Sequence, residues 1–214
     1  MDYAATRRVF SVRAKMFSMK YFIVGLGNPG EEYKKTRHNT GFLALEHFRK
    51  NMRLPEWVES AKVVGEMSEG EVGEHDVVLV RPHTFMNKSG SSVKKVVKSK
   101  ATAKRLVVVH DDLDLPVGKI KIVFGRGSGG HRGVDSIVRA VGTKDFVRVR
   151  IGVAPATPTG KLKKPKGEKA VLDFIMKDFR KPEMETLKKT FKDTTAALET
   201  IVEDGYAGAA NRYN

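Results

Sequence analysis

The feature that most constrains the fold is a series of short apolar runs that alternate with helical patterns along the chain. The runs have the length of single β-strands and lie at residues 21–25, 63–67, 77–80, 106–109, 119–124 and 147–153. Each run is far shorter than the roughly 18 apolar residues that a membrane-spanning helix needs. The chain is therefore predicted to be soluble.

Apolar residues at helical spacing fill several of the intervals between these runs. They predict helices within residues 42–52, 89–97 and 134–141, and a long helix after Pro182 that Gly205 is expected to end. Strands that alternate with helices build layered α/β proteins. We therefore predict a single-domain, three-layer fold in which helices flank a twisted, mostly parallel mixed β-sheet. The length of 214 residues agrees with one domain.

The composition excludes several kinds of site and indicates a polyanionic partner. The chain has no cysteine, which rules out disulfides, zinc–thiolate sites and a thiol nucleophile. Lys and Arg number 40 against 25 Asp and Glu, a formal net charge of +15. Basic proteins gain affinity for nucleic acids by releasing counterions from phosphates. Nucleic acid is therefore the first candidate partner, and an anionic membrane surface is the second.

The start of the chain is a basic leader. Its first twenty residues carry five basic side chains against Asp2, so the rest of the chain keeps most of the positive charge. An Arg-rich, acid-poor start is typical of organelle transit segments, but this one lacks the apolar stretch of a secretory signal. We predict residues 1–19 as a disordered leader or a misassigned start, with a transit segment as the alternative, and residues 20–214 as the domain.

A glycine-rich loop at residues 25–30 follows the first predicted strand. Its glycines suggest a dinucleotide-binding turn, but Pro29 lacks the backbone amide that such a loop needs to bind a pyrophosphate. The side chain of Asn28 offers both donors and an acceptor, so it can bind an amide or carbonyl of a peptide-like substrate. The alternative is that Asn28 only forms the turn.

His38 and Asp111 are the candidate catalytic pair. His38 lies just before the predicted helix at 42–52, and a neutral imidazole can take a proton from water. Alone, a histidine at a helix start is more often structural. Asp111 follows the apolar strand 106–109, and α/β proteins keep their sites at the carboxyl ends of strands. A carboxylate there can fix the tautomer of His38 and stabilise the imidazolium.

The acidic cluster around Asp111 has a second interpretation. Asp111, Asp112 and Asp114 follow His110, and hard divalent cations prefer several oxygen ligands. The sequence contains no second His–carboxylate cluster that would complete such a site. We therefore predict neither a metal nor a cofactor.

Two further segments carry side chains or amides suited to a ligand. Phe85 and Met86 lie beside an amide side chain after the strand at 77–80, where they either hold a base or peptide group or belong to the core. The glycine-rich block 125–133 opens the helix at 134–141 and contains two arginines, so it either attracts phosphate or is a flexible loop. Residues 154–169 are predicted to form a mobile basic loop.

Four sequence blocks occur in order along the chain. They are FIVGLGNPG at 22–30, YKKTRHNTG at 33–41, PHTFMNKSG at 82–90, and HDDLDLP at 110–116 with the glycine-rich block that contains His131. Together they closely resemble the bacterial-type peptidyl-tRNA hydrolase family from about residue 20 to the C-terminus. The resemblance implies a metal-free enzyme that hydrolyses the ester between a peptide and its tRNA.

The resemblance also implies roles for single residues. His38 would be the catalytic base, Asp111 the carboxylate that keeps it basic, and Asn28 the group that recognises the peptide. The residues that would line or shape the cleft near the tRNA end are Tyr33, Phe85, Met86, Asn87 and His131. Lys121 and Arg150 lie where the family places residues that bind phosphate, which agrees with their charge.

Arg132 departs from the family pattern. Many bacterial members have Asn after the Gly-Gly-His sequence and use its amide to bind substrate or position water. Arginine donates hydrogen bonds but does not accept them, so Arg132 would instead bind a 3′ phosphate or stabilise an oxyanion.

The expected partner is peptidyl-tRNA, with no membrane partner, and the protein is predicted to be a cytoplasmic monomer. An organellar location is the alternative if residues 1–19 are a transit segment. The alternative function is that of a non-catalytic RNA-binding relative of the splicing-factor type.

Overall fold

The computed structural model describes residues 18–157 and 159–214. Apart from its last two residues, the predicted leader at 1–19 lies outside these residues. Seven strands are formed, at Lys20–Gly25 (β1), Val58–Ser60 (β2), Gly65–Val72 (β3), His75–Pro82 (β4), Leu106–Pro116 (β5), Ile120–Phe124 (β6) and Val147–Ala154 (β7). Six α-helices accompany them, at Thr40–Asn51 (α1), Ser89–Val93 (α2), Lys100–Ala103 (α3), Arg132–Val141 (α4), Glu168–Ile175 (α5) and Lys181–Tyr213 (α6).

The strands form one mixed sheet in the order β2-β3-β4-β1-β5-β7-β6. The four central strands are parallel, with β1 between β4 and β5, and β7 beside β5. The outer pairings β2-β3, β3-β4 and β6-β7 are antiparallel, so only β3 and β6 oppose the direction of the others. This architecture confirms the predicted α/β fold with a mixed sheet.

Both faces of the sheet are covered, which makes three layers. Side chains of a strand alternate between its two faces, and in β1 Ile23 belongs to one buried cluster while Val24 belongs to the other. The first cluster packs the sheet against α1 and α6, and the second packs it against α2 and α4. The apolar runs in the sequence have no polar alternation because their strands are buried on both sides.

Several predicted elements differ from the structure in their bounds, and the strand predicted at 106–109 differs most, since it continues through Pro116 and contains Asp111. The predicted helix at 89–97 ends at Val93, because the amides of Lys95 and Val96 bond three residues back, at 3.0 and 3.1 Å, and form a tight turn. The predicted strand at 63–67 begins only at Gly65, because Val64 has φ +49° and turns the chain. The short strand β2 was not predicted.

The long C-terminal helix is interrupted where the sequence predicts its end. Gly205 has φ +82°, which glycine adopts without steric cost, and helical structure resumes after it up to Tyr213. The last residue, Asn214, then pairs with the edge strand β6: its side chain accepts from the amide of Ile122 at 2.6 Å and donates to the carbonyl of the same residue at 3.0 Å.

The parallel arrangement gathers the predicted site residues at one edge of the sheet. The loop with Asn28 follows β1, the segment with Phe85 follows β4, and Asp111 lies in the second half of β5. Parallel strands that pair in this way end at the same edge. Within the described residues, no helix is both long and apolar enough to cross a bilayer.

Gly41 lets α1 lie directly on the sheet, and its substitution tests how closely the layers must approach. A Cβ at residue 41 would lie 2.4 Å from the amide nitrogen of Leu26 and 2.4 Å from the carbonyl oxygen of Val109. We expect Gly41→Ala to lower the free energy of unfolding by about 1–3 kcal/mol, measured by urea titration. Gly208→Ala is the control, since its Cβ would only contact Asp204 at 3.5 Å. Equal stabilities of the two variants would contradict the close approach.

Candidate active site

His38 lies in a short 3₁₀ turn, Arg37–Asn39, which is anchored by a buried ion pair. The guanidinium of Arg37 donates to Glu183 of α6 at 2.8 Å and to the carbonyls of Lys177 and Asp178 at 3.0 and 2.6 Å. Burial would raise the pKa of Glu183, but hydrogen bonds from Arg180 and the charge of Arg37 lower it. The turn is therefore fixed from the side of α6, and His38 points away from that anchor into the site.

His38 contacts the carboxylate of Asp111. Its Nδ1 lies 3.0 Å from Oδ1 and 3.1 Å from Oδ2 of Asp111, and both side chains are buried. A carboxylate only accepts hydrogen bonds, so Nδ1 carries a hydrogen and Nε2 keeps its lone pair. Within the described residues, Nε2 of His38 has no hydrogen-bond partner. The arrangement presents a basic nitrogen to an incoming molecule.

A second imidazole, that of His131, donates to the same carboxylate. Nε2 of His131 lies 2.9 Å from Oδ1 of Asp111. His131 also caps helix α4, where its Nδ1 accepts from the amides of Gly133 and Val134 at 3.2 and 3.4 Å. Because amides only donate, the ring hydrogen of His131 lies on Nε2 and faces Asp111. The tautomer of His131 is therefore set by the start of α4.

Asp111 carries its negative charge at ordinary pH despite being only 4% exposed. Burial would raise its pKa, but the charges of His38 and His131 and their hydrogen bonds outweigh burial, so the pKa of Asp111 lies well below its ordinary value. A buried, charged carboxylate stabilises an imidazolium beside it.

His38, Asp111 and His131 line a cavity of about 360 Å³. One wall is apolar and consists of Leu113 with three residues of α5, namely Val171, Leu172 and Ile175. At the cavity, Arg132 at the start of α4 forms an exposed ion pair with Glu168 at the start of α5. The cavity therefore combines an apolar wall with the imidazole–carboxylate cluster.

Asn28 lies beside this cavity but does not line it. Its backbone is held by the side chain of Asn39, which accepts from the amide of Asn28 at 2.9 Å and donates to its carbonyl at 2.9 Å. Its side-chain oxygen accepts from the amide of Met86 at 2.8 Å. Among residues 18–157 and 159–214, its side-chain nitrogen has one recorded partner, the sulfur of Met176 at 3.9 Å. The one donor of Asn28 that remains for a ligand is thus this nitrogen.

Of the other predicted cleft residues, three reach the surface and one is buried. Phe85 is 58% exposed and Asn87 is exposed, while Met86 is buried in the core. Tyr33 is half-buried in a short 3₁₀ turn, Glu31–Tyr33, after the glycine-rich loop. None of these four residues lines the 360 Å³ cavity. They follow β1 and β4 in the chain.

Lys121 and Arg150 line a second cavity, of about 570 Å³, on the side of β6 and β7. Arg126 and Arg148 line it as well. Because of these four basic residues, we call this second cavity the basic cavity. Two residues of the glycine-rich block, 128 and 129, line both cavities. Arg150 binds Asp112 at 2.5 Å, whereas within the described residues neither Lys121 nor Arg126 has a carboxylate within 4.0 Å. The basic cavity therefore has excess positive charge.

Sequence reasoning missed two buried residues next to the catalytic cluster. His110 is fully buried, and its ring packs against that of His131 with centroids 4.6 Å apart. Arg148 is also buried and contacts His110 through 3.4 Å between Nη1 and Nε2. The sequence shows that His110 directly precedes Asp111. It does not indicate the contact of His110 with Arg148, because these residues are 38 positions apart.

The predicted alternative of a cation bound by three carboxylates does not fit the donor groups. Asp112 binds Arg150 and Asp114 binds Lys164, which leaves Asp111 alone. The donor atoms of His38, Asp111 and His131 do lie within 4.8 Å of one another. However, the amides of Gly133 and Val134 direct the ring hydrogen of His131 to Nε2, so this nitrogen offers no lone pair to a metal beside Asp111.

Comparison with known proteins identifies the family of this chain. A sequence model of the family described as peptidyl-tRNA hydrolase matches residues 22–214. The chain belongs to the peptidyl-tRNA hydrolase family. Peptidyl-tRNA hydrolases of Alkaliphilus oremlandii and Thermodesulfovibrio yellowstonii are 40% and 36% identical to it, over 91% and 90% of this chain and 99% and 97% of theirs. The crystal structure of peptidyl-tRNA hydrolase from Acinetobacter baumannii superposes with a TM-score of 0.80 at 31% identity, covering 91% of this chain and 94% of that one.

The charge of Asp111 makes a testable contribution to the stability of this family member. The folded-state pKa of Asp111 lies below the value of about 3.9 for an unfolded aspartate, so its contribution is full above about pH 5 and is lost as the pH falls through the folded pKa. We expect Asp111→Asn to lower the free energy of unfolding by about 2 kcal/mol at neutral pH and by progressively less in acid. Urea unfolding of both proteins across this pH range measures the difference.

The control for this measurement is Asn39→Ala, which removes a buried side chain of the same site that does not titrate. Its cost in unfolding free energy should stay constant across the pH range. If the cost of Asp111→Asn were equally constant, the carboxylate would not be the charged acceptor of the two imidazoles.

Proposed function

We propose that this protein hydrolyses the ester bond between peptide and tRNA in peptidyl-tRNA, and so recycles tRNA from prematurely released peptidyl-tRNA. The observation that carries the proposal is the contact of Asp111 with Nδ1 of His38, which leaves Nε2 as a base beside a cavity. Family membership and relatives named peptidyl-tRNA hydrolase support the same reaction and do not support the alternative of a non-catalytic RNA-binding protein.

In the proposed reaction, Nε2 of His38 takes a proton from water while the water oxygen attacks the ester carbonyl. The negative charge of Asp111 stabilises the imidazolium that forms. When the tetrahedral intermediate collapses, the bond to the ribose oxygen breaks, and that oxygen takes the proton from His38. The products are the peptide carboxylate and a tRNA with a free ribose hydroxyl. A base of this kind contributes about 10² to 10⁴-fold, which suits a reactive ester.

Asn28 is the proposed donor to the peptide. Its side-chain oxygen accepts from the amide of Met86. A substrate carbonyl needs a donor, which is the side-chain nitrogen of Asn28. The sulfur of Met176, which that nitrogen contacts, is a weak acceptor that a carbonyl oxygen can replace at little cost. We place Tyr33, Phe85 and Asn87 at the approach of the tRNA end, with Met86 and His131 shaping the site. Arg132 is proposed to bind phosphate or oxyanion charge once it leaves Glu168.

The basic cavity is the proposed site for tRNA phosphates. Lys121 and Arg150 carry the charge that the resemblance predicts, and the cavity adjoins the catalytic one through residues 128 and 129. A substrate with its ester at His38 can therefore place phosphates in the basic cavity at the same time. We also propose that the protein is a monomer and that it is located in the cytoplasm.

Replacing His38 tests the assignment of the base. Purified His38→Ala should hydrolyse peptidyl-tRNA with a kcat lower by at least about 10²-fold, because proton transfer occurs only in the transition state. The dissociation constant for tRNA should stay within about threefold of the parent's. His75→Ala, which changes a histidine outside both cavities, is the matched control. A turnover of His38→Ala near that of the parent would rule out this base.

Removal of divalent cations distinguishes the proposed reaction from a metal-dependent one. Because both imidazoles already donate hydrogen bonds to the carboxylate of Asp111, we expect the rate of hydrolysis to be the same with and without a strong chelator. The measurement is release of labelled peptide from peptidyl-tRNA by protein dialysed against the chelator. A loss of rate that zinc or magnesium restores would show that a cation takes part.

A further inference from the structure

His110 is a buried titratable residue that the proposed reaction does not use. It is fully buried in β5, directly before Asp111. Both of its ring nitrogens have partners: Nδ1 lies 2.7 Å from the carbonyl oxygen of Asp111, and Nε2 lies 3.4 Å from Nη1 of Arg148. His110 is therefore held through both ring nitrogens, one residue from the proposed catalytic carboxylate.

These partners allow only one form of the ring. A carbonyl oxygen accepts, so Nδ1 of His110 must donate, and a guanidinium only donates, so Nε2 must accept. The opposite tautomer would set a lone pair against the carbonyl oxygen and a hydrogen against the guanidinium. The pKa of His110 lies well below its ordinary value, first because of burial and then because of the charges of His131 and Arg148, with Asp111 opposing them. The ring is therefore neutral, with its hydrogen on Nδ1.

Arg148 joins His110 to the glycine-rich block. While its Nη1 donates to His110, its Nη2 donates to the carbonyl of Gly127 at 2.6 Å. Burial and the charge of Arg150 lower the pKa of Arg148 to about 10, although Asp112 raises it, so Arg148 is still a cation at neutral pH. One planar guanidinium thus holds two segments that each lead to the catalytic cluster.

The two segments carry the two sides of one hydrogen bond. His110 holds the carbonyl of Asp111, whose carboxylate is the acceptor, and the block with Gly127 leads to His131, whose Nε2 is a donor. The ring of His110 also packs edge-on against the ring of His131, at an interplanar angle of 64°. A shift of either segment would separate the carboxylate of Asp111 from His131, and a shift of the segment with His110 would also separate it from His38.

We infer that His110 and Arg148 act as a positioning pair, which holds Asp111 and His131 in the geometry that hydrolysis at His38 requires. The inference rests on the proposed function for its kinetic consequence. Neither residue touches the reacting atoms. Arg148 also lines the basic cavity, so the same guanidinium lies between the proposed phosphate site and the catalytic carboxylate.

Two isosteric substitutions of His110 separate positioning from packing. Asn and Leu have the same shape, but only Asn keeps an N–H near the position of Nδ1 that can donate to the carbonyl of Asp111. We expect His110→Leu to lower kcat for peptidyl-tRNA at least tenfold, with KM within threefold of the parent's. His110→Asn keeps this donor but loses the contact with Arg148, so its kcat should lie between those of His110→Leu and the parent. Equal losses in the two folded variants, or a kcat of His110→Leu within twofold of the parent's, would overturn the inference.

Arg148→Lys provides the second variant if His110→Leu does not fold. Lysine keeps the charge, but its single ammonium cannot bridge His110 and Gly127 as the fork does. We expect a fall in kcat of at least fivefold. The matched control is Arg139→Lys, on the exposed side of α4, which should retain the parental kcat. Parental kcat in Arg148→Lys would overturn the role of Arg148.

The ring form of His110 gives a readout that does not depend on activity. Long-range ¹H–¹⁵N NMR spectra of the full chain should show His110 neutral with its hydrogen on Nδ1, and His131 with its hydrogen on Nε2. The opposite tautomer at His110 would overturn the inference even in an active enzyme. If the parent protein did not hydrolyse peptidyl-tRNA, the proposed function would fail, while the spectra would still test the pair.

Discussion

The site depends on one buried negative charge, that of Asp111. A carboxylate removed from water costs several kcal/mol unless hydrogen-bond donors replace its hydration. The donors are two imidazoles, His38 from the turn before α1 and His131 from the cap of α4. The carboxylate also determines the tautomer of His38, whereas the amides at the start of α4 determine that of His131. The need to satisfy one carboxylate thus fixes three separate segments of the chain relative to each other.

The fold meets this need through close packing of α1 on the sheet. Gly41 allows α1 to approach Leu26 and Val109 at backbone distance, and this approach brings the preceding turn with His38 to the second half of β5. From the other side, the buried pair of Arg37 with Glu183 ties the same turn to α6. His38 is therefore held by packing at one end and by an ion pair at the other. For the proposed role of His38 as the base, this restricted freedom means that little reorganisation is needed before proton transfer.

The sequence predicted those parts of the site whose causes are local. The apolar run at 106–109 ends before Asp111, so a carboxylate at a strand end was visible, and the α/β alternation implied a common edge. The sequence did not predict that β5 continues through Pro116, because that extension depends on pairing with β7. It also gave no sign that the donor of Asn28 faces Met176, a contact across 148 residues. Long-range contacts of this kind follow from the packed layers rather than from any local pattern.

The distribution of charge explains how a strongly basic protein can keep a site suited to a neutral ester. Around the catalytic cavity, basic residues are paired with carboxylates, as Arg132 is with Glu168 and Lys164 with Asp114. In the basic cavity, Lys121 stays without such a partner among the described residues. Positive charge therefore attracts phosphates to the basic cavity, on one side of the glycine-rich block. On the other side, the carboxylates around the cavity with His38 do not attract them. In the proposed reaction, the ester has no net charge to be repelled, and tRNA phosphates bound at the basic cavity would tether it near His38.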